Sequence, residues 1–392
     1  MKISEVVFPV RLTRLKYGAR EVPHATIEPN RTCNGRCHYC YNLDRTFVKG
    51  LELIKEEIDE LRTRRRLQVI SILGGEPTLH PQLAEIIRYI KSKRILCQLL
   101  TNGISFLNGG GENLLSRLIE AGIDKIILHV DRSQHHLPIE VDKTRSALFA
   151  LMEANRVPFS LSLTIGKGDE REIPDVIRRY ARFRYFDGIL GVLARDPLSQ
   201  DGPKMEMVDV YNGVCRELGI RPCAYVPSCQ ADEDVDWLIY LYLINSLDGT
   251  AVSLPPLCDL VFRKTYRAVK GRQPFILVHH PFLTLLTAVS VFTGEVLAHP
   301  RKISSRWRIF RDLLLHRSVR FHYIAIQNPP EFDREKKQLR FCYQCLDATM
   351  RNGRLMPVCL ADWMSPLDDF RPPTLLPGEV IQEVYRHLGE IG

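Results

Sequence analysis

From His24 to Leu218, short β-rich runs alternate with helical patterns at roughly 30-residue intervals, the rhythm of consecutive βα units. The strand candidates are His24–Asn30, Gln68–Leu73, Ile95–Thr101, Lys125–Asp131, Phe159–Ile165 and Asp187–Leu193. Between them apolar residues recur at helical spacing: Leu51, Ile54, Ile58 and Leu61 share one face, as do Leu83, Ile86, Ile87 and Ile90. Parallel strands joined through helices take right-handed crossovers. Six such units therefore predict an α/β fold whose parallel sheet curls toward a partial (β/α)6 TIM-like barrel. Chemistry in such sheets gathers at the carboxyl ends of the strands.

The rhythm stops near residue 219, which divides the chain into a barrel at 1–218, a connecting or substrate region at 219–332 and a C-terminal module at 333–392. The module carries "FCYQC" and "PVCLADW" and closes on a short helix at Pro377–Leu388. With 392 residues, 45% of them hydrophobic, the chain can bury a sizeable core, and disorder is excluded. The most apolar stretch, Phe275–Ala298, is long enough to raise the question of a membrane span. His279, His280, Pro281, Gly294 and Glu295 interrupt it, which suits two buried strands about a His-Pro turn better than a spanning helix. Lys and Arg exceed Asp and Glu by 54 to 46, a net charge of +8 gathered at Arg62–Arg66, Arg178–Arg184 and Arg301–Arg320. Such runs are usually solvated faces, and no nucleic-acid partner is expected.

"RTCNGRCHYCYN" places Cys33, Cys37 and Cys40 in one loop directly after the first strand. A disulfide framework belongs to short secreted chains with even cysteine counts, whereas this chain has 11 cysteines and opens without a signal-peptide pattern, so a reducing cytoplasm is expected. Three sulfurs in a short loop can converge on one metal centre. Zinc would need a fourth ligand, and His38 lies awkwardly inside the loop. An iron–sulfur cube held by three thiolates keeps one iron open.

The Cys33-x3-Cys37-x2-Cys40 spacing, with Tyr39 before the last cysteine, resembles the signature of the radical S-adenosylmethionine (radical SAM) superfamily. The resemblance implies a [4Fe-4S] cluster whose open iron holds S-adenosylmethionine by its amino and carboxylate groups. On reduction the cofactor is cleaved to methionine and a 5'-deoxyadenosyl radical. "LGGEPTLHP" at the end of the second strand resembles the family's Gly-Gly-Glu-Pro motif, which implies that Gly74, Gly75, Glu76 and Pro77 meet the methionine amino group. The residues make sense on their own terms, since glycines admit a close backbone approach and Glu76 offers an acceptor to an ammonium. Thr101, Asn102 and Gly103 close the third strand as they do in many members. His129 and Asp131 end the fourth strand two residues apart, so they share a face and are the catalytic candidates, with strand-end capping as the alternative role. Ser162, Thr164 and Arg195 are lesser candidates at later strand ends.

A second group, Cys342-x2-Cys345-x13-Cys359, fits zinc with a fourth ligand from elsewhere, or a second iron–sulfur cluster. Its spacing resembles the auxiliary-cluster motif of GTP 3',8-cyclases and the SPASM and twitch extensions, which implies a second [4Fe-4S] cluster. Cys215, Cys223, Cys229 and Cys258 are the candidates for a fourth ligand. Cys97, inside a strand, reads as a buried small hydrophobe.

The function expected from these features is reductive cleavage of S-adenosylmethionine and hydrogen abstraction from an unactivated C–H of an organic substrate. A flavodoxin or ferredoxin would serve as reductant. A lipid or isoprenoid substrate would suit Phe275–Ala298 and a basic helix at Ser305–His316, with peripheral contact to the inner membrane face. A peptide substrate is the alternative. A non-enzymatic iron–sulfur carrier or sensor would have no use for Gly74, Gly75 and Glu76.

Overall fold

The computed structural model describes residues 1–6, 12–35, 37, 39–42, 45–134, 140–194, 205–254, 256–271, 319–333 and 338–364. One twisted sheet organises them. Its strands are β1 (Thr13–Arg14), β2 (His24–Ile27), β3 (Val69–Ile72), β4 (Leu96–Thr101), β5 (Lys125–His129), β6 (Phe159–Ile165), β7 (Phe186–Leu193), β8 (Ala224–Pro227), β9 (Val235–Asn245), β10 (Ala251–Ser253) and β11 (Val319–Gln327). β2 to β7 lie side by side in chain order, every neighbouring pair parallel, the sheet of the expected partial barrel.

Helices supply the crossovers: α1 (Leu51–Arg64), α2 (Leu83–Ser92), α3 (Ile104–Leu107), α4 (Gly111–Glu120), α5 (Val141–Ala154), α6 (Glu172–Tyr180) and α7 (Met207–Leu218). Each of the longer ones turns an apolar stripe to the sheet, for example Ile54, Ile58 and Leu61 on α1 and Ile86, Ile87 and Ile90 on α2. Cys97 sits in that helix-facing core, fully buried. α7 stops at Gly219, whose φ of 67° is the left-handed conformation that ends helices.

The region that the βα rhythm left unassigned extends the same sheet. β11 runs parallel to β7, β9 antiparallel to β11, β8 antiparallel to β9, and β1 pairs with β8 at the far edge. All eleven residues of β9 are buried because both its faces are covered. Leu238, Tyr240, Tyr242 and Ile244 join the helix-facing core, while Trp237, Ile239, Leu241 and Leu243 face an inner core that also holds Cys342, Cys345 and Leu346. The C-terminal segment thus packs against the inner face of the added strands. It also holds the β2 edge, where His24 Nδ1 meets Leu346 O at 3.0 Å and the Asp347 carboxylate at 3.2 Å. Arg65 Nη1 donates to His24 O (2.8 Å) and Leu346 O (3.3 Å).

Beyond β11 come two hairpins, β12 (Glu331–Asp333) with β13 (Gln338–Arg340), and β14 (Ala348–Arg351) with β15 (Arg354–Pro357). The apolar stretch at 275–298, the basic helix expected at 305–316, the closing helix expected at 377–388, Arg195 and His38 lie outside the described residues. No helix among the described residues is long and apolar enough to cross a membrane.

Candidate functional site

Past the end of β3 the chain turns directly against the segment that leads from β2 into the first cysteine loop. Leu73 N–H donates to Ile27 O (3.0 Å), Gly75 N–H to Asn30 O (2.9 Å) and Glu76 N–H to Thr32 O (2.8 Å), so the two strands stay bonded beyond their formal ends. Gly74 takes φ 134°, and a Cβ there would stand 2.3 Å from Asn30 O; one at Gly75 would stand 2.1 Å from Thr32 O. The close approach that these glycines permit is therefore occupied by the backbone of the cysteine loop itself.

Glu76 is 1% exposed and draws the ends of β3 and β4 together. Its Oε1 accepts from Thr78 N–H (3.0 Å), Thr78 Oγ1 (2.6 Å) and Thr101 Oγ1 (2.7 Å), and its Oε2 accepts from Asn102 N–H (2.8 Å). Burial raises its pKa, while these donors work in the opposite direction. The same carboxylate caps the short 3-10 helix Pro77–Leu79, where Pro77 stands at the first position and needs no N–H partner. From the β4 end, Asn102 Nδ2 donates to Asn34 Oδ1 in the cysteine loop at 2.7 Å.

Cys33, Cys37 and Cys40 are all partly buried in that loop. Burial raises the thiol pKa of Cys33 and lifts that of Cys37 to about 12, and the neighbouring sulfurs add to both. Among the described residues no three metal-binding side chains stand close enough to grip an ion as they are. The donor set nonetheless fits an iron–sulfur cluster in its chemistry: three partly buried sulfurs on one short loop, near enough to feel one another's charge. Tyr39 is 41% exposed. Tyr41 Oη donates to Gly74 O at 3.4 Å, a further link between loop and β3 turn.

A buried charge quartet that the sequence reading missed anchors the loop. Arg31, two residues before Cys33, is completely buried between Glu28 and Asp362, ion-paired to both. Arg351, on β14, reaches the same two carboxylates, Glu28 at 2.9 Å and Asp362 at 3.4 Å. Two cations and two anions balance, and the rings of Tyr41 and Phe47 flank Arg31. Nothing local in "EPNRTC" announces this arrangement. An arginine pressed against three cysteines was its only signal.

At the end of β5 the Asp131 carboxylate is 2% exposed and accepts from Ser133 N–H (2.8 Å), Ser133 Oγ (2.5 Å) and, across to β6, Thr164 N–H (2.7 Å). Burial opposes its ionisation, but His129 and these donors hold its pKa below the usual carboxylate range. His129 Nε2 lies 3.6 Å from Asp131 Oδ2 and is about one quarter exposed, so the imidazole faces the strand-end space while the carboxylate ties β5 to β6. Ser162, the register partner of His129 on β6, is buried.

The second cysteine group lies in the C-terminal segment. Cys342 and Cys345 are buried in the inner core, and Cys359 sits in the 3-10 turn Val358–Leu360 that follows β15. The three are mutually close in charge: Cys345 feels Cys342 and Cys359, and Cys359 feels Cys342. Here too the all-sulfur donor set fits an iron–sulfur group.

Residues 27–188 match the family model described as the Radical SAM superfamily. A probable GTP 3',8-cyclase of Thermococcus kodakarensis is 30% identical over 176 residues, 42% of this chain and 54% of that protein. A probable GTP 3',8-cyclase of Methanocaldococcus jannaschii is 26% identical over 196 residues, 47% of this chain and 63% of that protein. The chain thus spans a little over half the length of these curated relatives. Among solved structures, SuiB of Streptococcus suis bound to its precursor peptide SuiA aligns at 13% identity and a TM-score of 0.41, covering 50% of this chain and 47% of that one.

Proposed function

We propose that this chain, whose residues 27–188 carry a radical SAM domain, is an enzyme that abstracts hydrogen from an unactivated C–H of a purine nucleotide of the GTP kind. The cofactors of such a domain are a [4Fe-4S] cluster and S-adenosylmethionine, which together supply reductive cleavage of a C–S bond to give a 5'-deoxyadenosyl radical. Cys33, Cys37 and Cys40 would hold the cluster. The observation that carries the reading is Glu76: a buried carboxylate joining the ends of β3 and β4, with lone-pair capacity left on Oε2 for an ammonium group. A plain electron carrier would have no use for that anion.

The chain's other residues prepare the site. Gly74 and Gly75 let the cysteine loop seat against β3, Asn102 tethers Asn34, and Thr101 orients Glu76. The apolar inner faces of β9 and β11 exclude water, which a carbon radical requires. Support for a nucleotide substrate comes from the names of the relatives and from the likeness of Cys342-x2-Cys345-x13-Cys359 to the GTP 3',8-cyclase spacing. The lipid expectation rests on residues 275–298 and 305–316, outside the described residues. A flavodoxin or ferredoxin remains the proposed reductant.

The test is anaerobic reconstitution, reduction and incubation with S-adenosylmethionine and GTP deuterated on the ribose. Deuterium arriving in 5'-deoxyadenosine supports the nucleotide. Release of 5'-deoxyadenosine that GTP neither accelerates nor labels would remove GTP as substrate while leaving the radical chemistry standing.

A further inference from the structure

We propose that Thr164 and Gln327 flank a strip of the barrel's inner wall that receives a flat, heteroatom-edged ring of the substrate, with Gln327 as the residue that reads the ring's edge. This deepens the nucleotide reading above and rests on it, the ring being the purine base. Alternation along the strands makes the placement. Leu163 and Ile165 of β6, Leu193 of β7 and Ile326 of β11 belong to the helix-facing core. Thr164, Val192 and Gln327, their immediate neighbours, therefore point to the inner face. The pairing register sets these three in one row across β6, β7 and β11, with His129, Ser162 and Leu190 in the inward-facing row below.

The wall is open here among the described residues. Leu163, Ile165 and Ile326 are fully buried under the helices, whereas His129, Thr164, Leu190 and Val192 are partly exposed, so their exposure comes from inside the barrel. Its polar groups are uncommitted. Gln327 is 8% and Ser162 6% exposed, yet among the described residues neither side chain has a hydrogen-bond partner, and nor has the Thr164 hydroxyl. Polar side chains more than nine-tenths shielded are nearly always bonded, and these have their bonds left to make with a molecule from outside the chain.

The spacing selects the ligand. β7 alone separates β6 from β11, which sets the Thr164 and Gln327 backbones about 10 Å apart, with the apolar Leu190 and Val192 between them. A flat ring can lie on Leu190 and Val192 while its polar edges reach the two sides. The Gln327 amide offers N–H donors beside a carbonyl acceptor, and so matches a base edge that carries an acceptor next to a donor, as guanine does at O6 and N1–H. Guanine's other edge, N7 and O6, has acceptors only and would leave the amide oxygen unpaired. β5 and β6 lie between β11 and the strands whose ends hold the first cysteine loop and Glu76. The sugar therefore extends past Thr164 and Ser162 toward His129, the side on which hydrogen is to be taken.

The experiment is calorimetric titration of GTP and of ATP into the full chain, reconstituted anaerobically, loaded with S-adenosylmethionine and left unreduced so that nothing turns over. Gln327→Leu should weaken GTP about tenfold, the worth of two lost hydrogen bonds, and Thr164→Val should weaken it several-fold, by about the worth of one. Neither side chain supports the fold through a hydrogen bond, so circular dichroism melting should match the parent in both variants. Gln327→Glu keeps acceptors and loses the donors; it should restore GTP relative to Gln327→Leu and move the GTP-to-ATP affinity ratio toward GTP, because guanine presents N–H donors on that edge where adenine presents the N1 acceptor. Gln327→Leu and Thr164→Val that bind GTP as tightly as the parent would overturn the proposal and leave water as the partner of these groups. A Gln327→Glu ratio equal to the parent's would overturn Gln327 as the reader of the base. A parent that binds no GTP overturns the nucleotide reading together with this site, an outcome distinct from a parent that binds and variants that bind equally well.

Discussion

Arg31, two residues ahead of Cys33, is ion-paired with Asp362, three residues past Cys359, and both are almost completely shielded from water. The pair ties the loop of the first cysteine group to the segment that carries the second. Removing one partner of a buried ion pair leaves an uncompensated charge, and that costs far more than the pair itself contributes. Arg31→Met is expected to destabilise the protein by about 3–5 kcal/mol in urea unfolding. The double variant Arg31→Met/Asp362→Leu should recover much of that loss, because Arg351 still answers Glu28. Equal losses in the single and double variants would contradict the coupling.

Glu76→Ala releases four donors that now end on one carboxylate, and each buried unpartnered donor costs about 1–3 kcal/mol. The variant should melt well below the parent. Glu76→Gln keeps the shape and one acceptor oxygen for the three donors now on Oε1, giving up the bond from Asn102 N–H, so it should fold yet release 5'-deoxyadenosine far more slowly. A Gln variant as active as the parent would leave Glu76 as a strand clamp only.

Gly75→Ala drives a methyl to 2.1 Å from Thr32 O, a contact that only backbone movement can relieve. The cysteine loop should lose its seat, and iron at the first site should fall while the second site keeps its own. Gly109→Ala meets nothing within 4 Å and serves as the control, with an expected change within about 0.5 kcal/mol. Iron analysis of cysteine variants that isolate each site separates the two.

At the amino ends of β5 and β7, Lys125 Nζ lies 2.7 Å from Asp187 Oδ2 and over the Tyr323 ring, with both charges about nine-tenths buried. Lys125→Met should cost about 3–5 kcal/mol, and Lys125→Met/Asp187→Leu should return toward the parent value. The amino ends of barrel strands serve stability, so a folded double variant should keep its 5'-deoxyadenosine release. Abolished release in a folded double variant would place this pair in the chemistry instead.

The parallel half of the sheet was legible because each of its strands is short, apolar and followed by a helix with a clean stripe, as Ile54, Ile58 and Leu61 show on α1. β9 was not. It enters antiparallel, without a preceding crossover helix, and its run Val235–Asn245 is apolar on both faces, so periodicity carries no information about it. The cysteine spacings and Gly74–Pro77 were legible as motifs, since they are contiguous. The partners of Arg31 were not, because Asp362 stands 331 residues away and a salt bridge at that separation leaves no local pattern. The role of Gly75 was half legible: close approach was foreseeable, but not that the approaching group is the backbone of Arg31 and Thr32.

The quartet of Glu28, Arg31, Arg351 and Asp362 also has a consequence for biosynthesis. The ribosome makes the β2 end of the quartet 331 residues before Asp362, so over that interval a nascent chain carries Glu28 and Arg31 without their far partners. The loop that bears the first thiols therefore gains its full set of ionic anchors only after Asp362 has been made, which couples the seating of the first cysteine group to synthesis of the second.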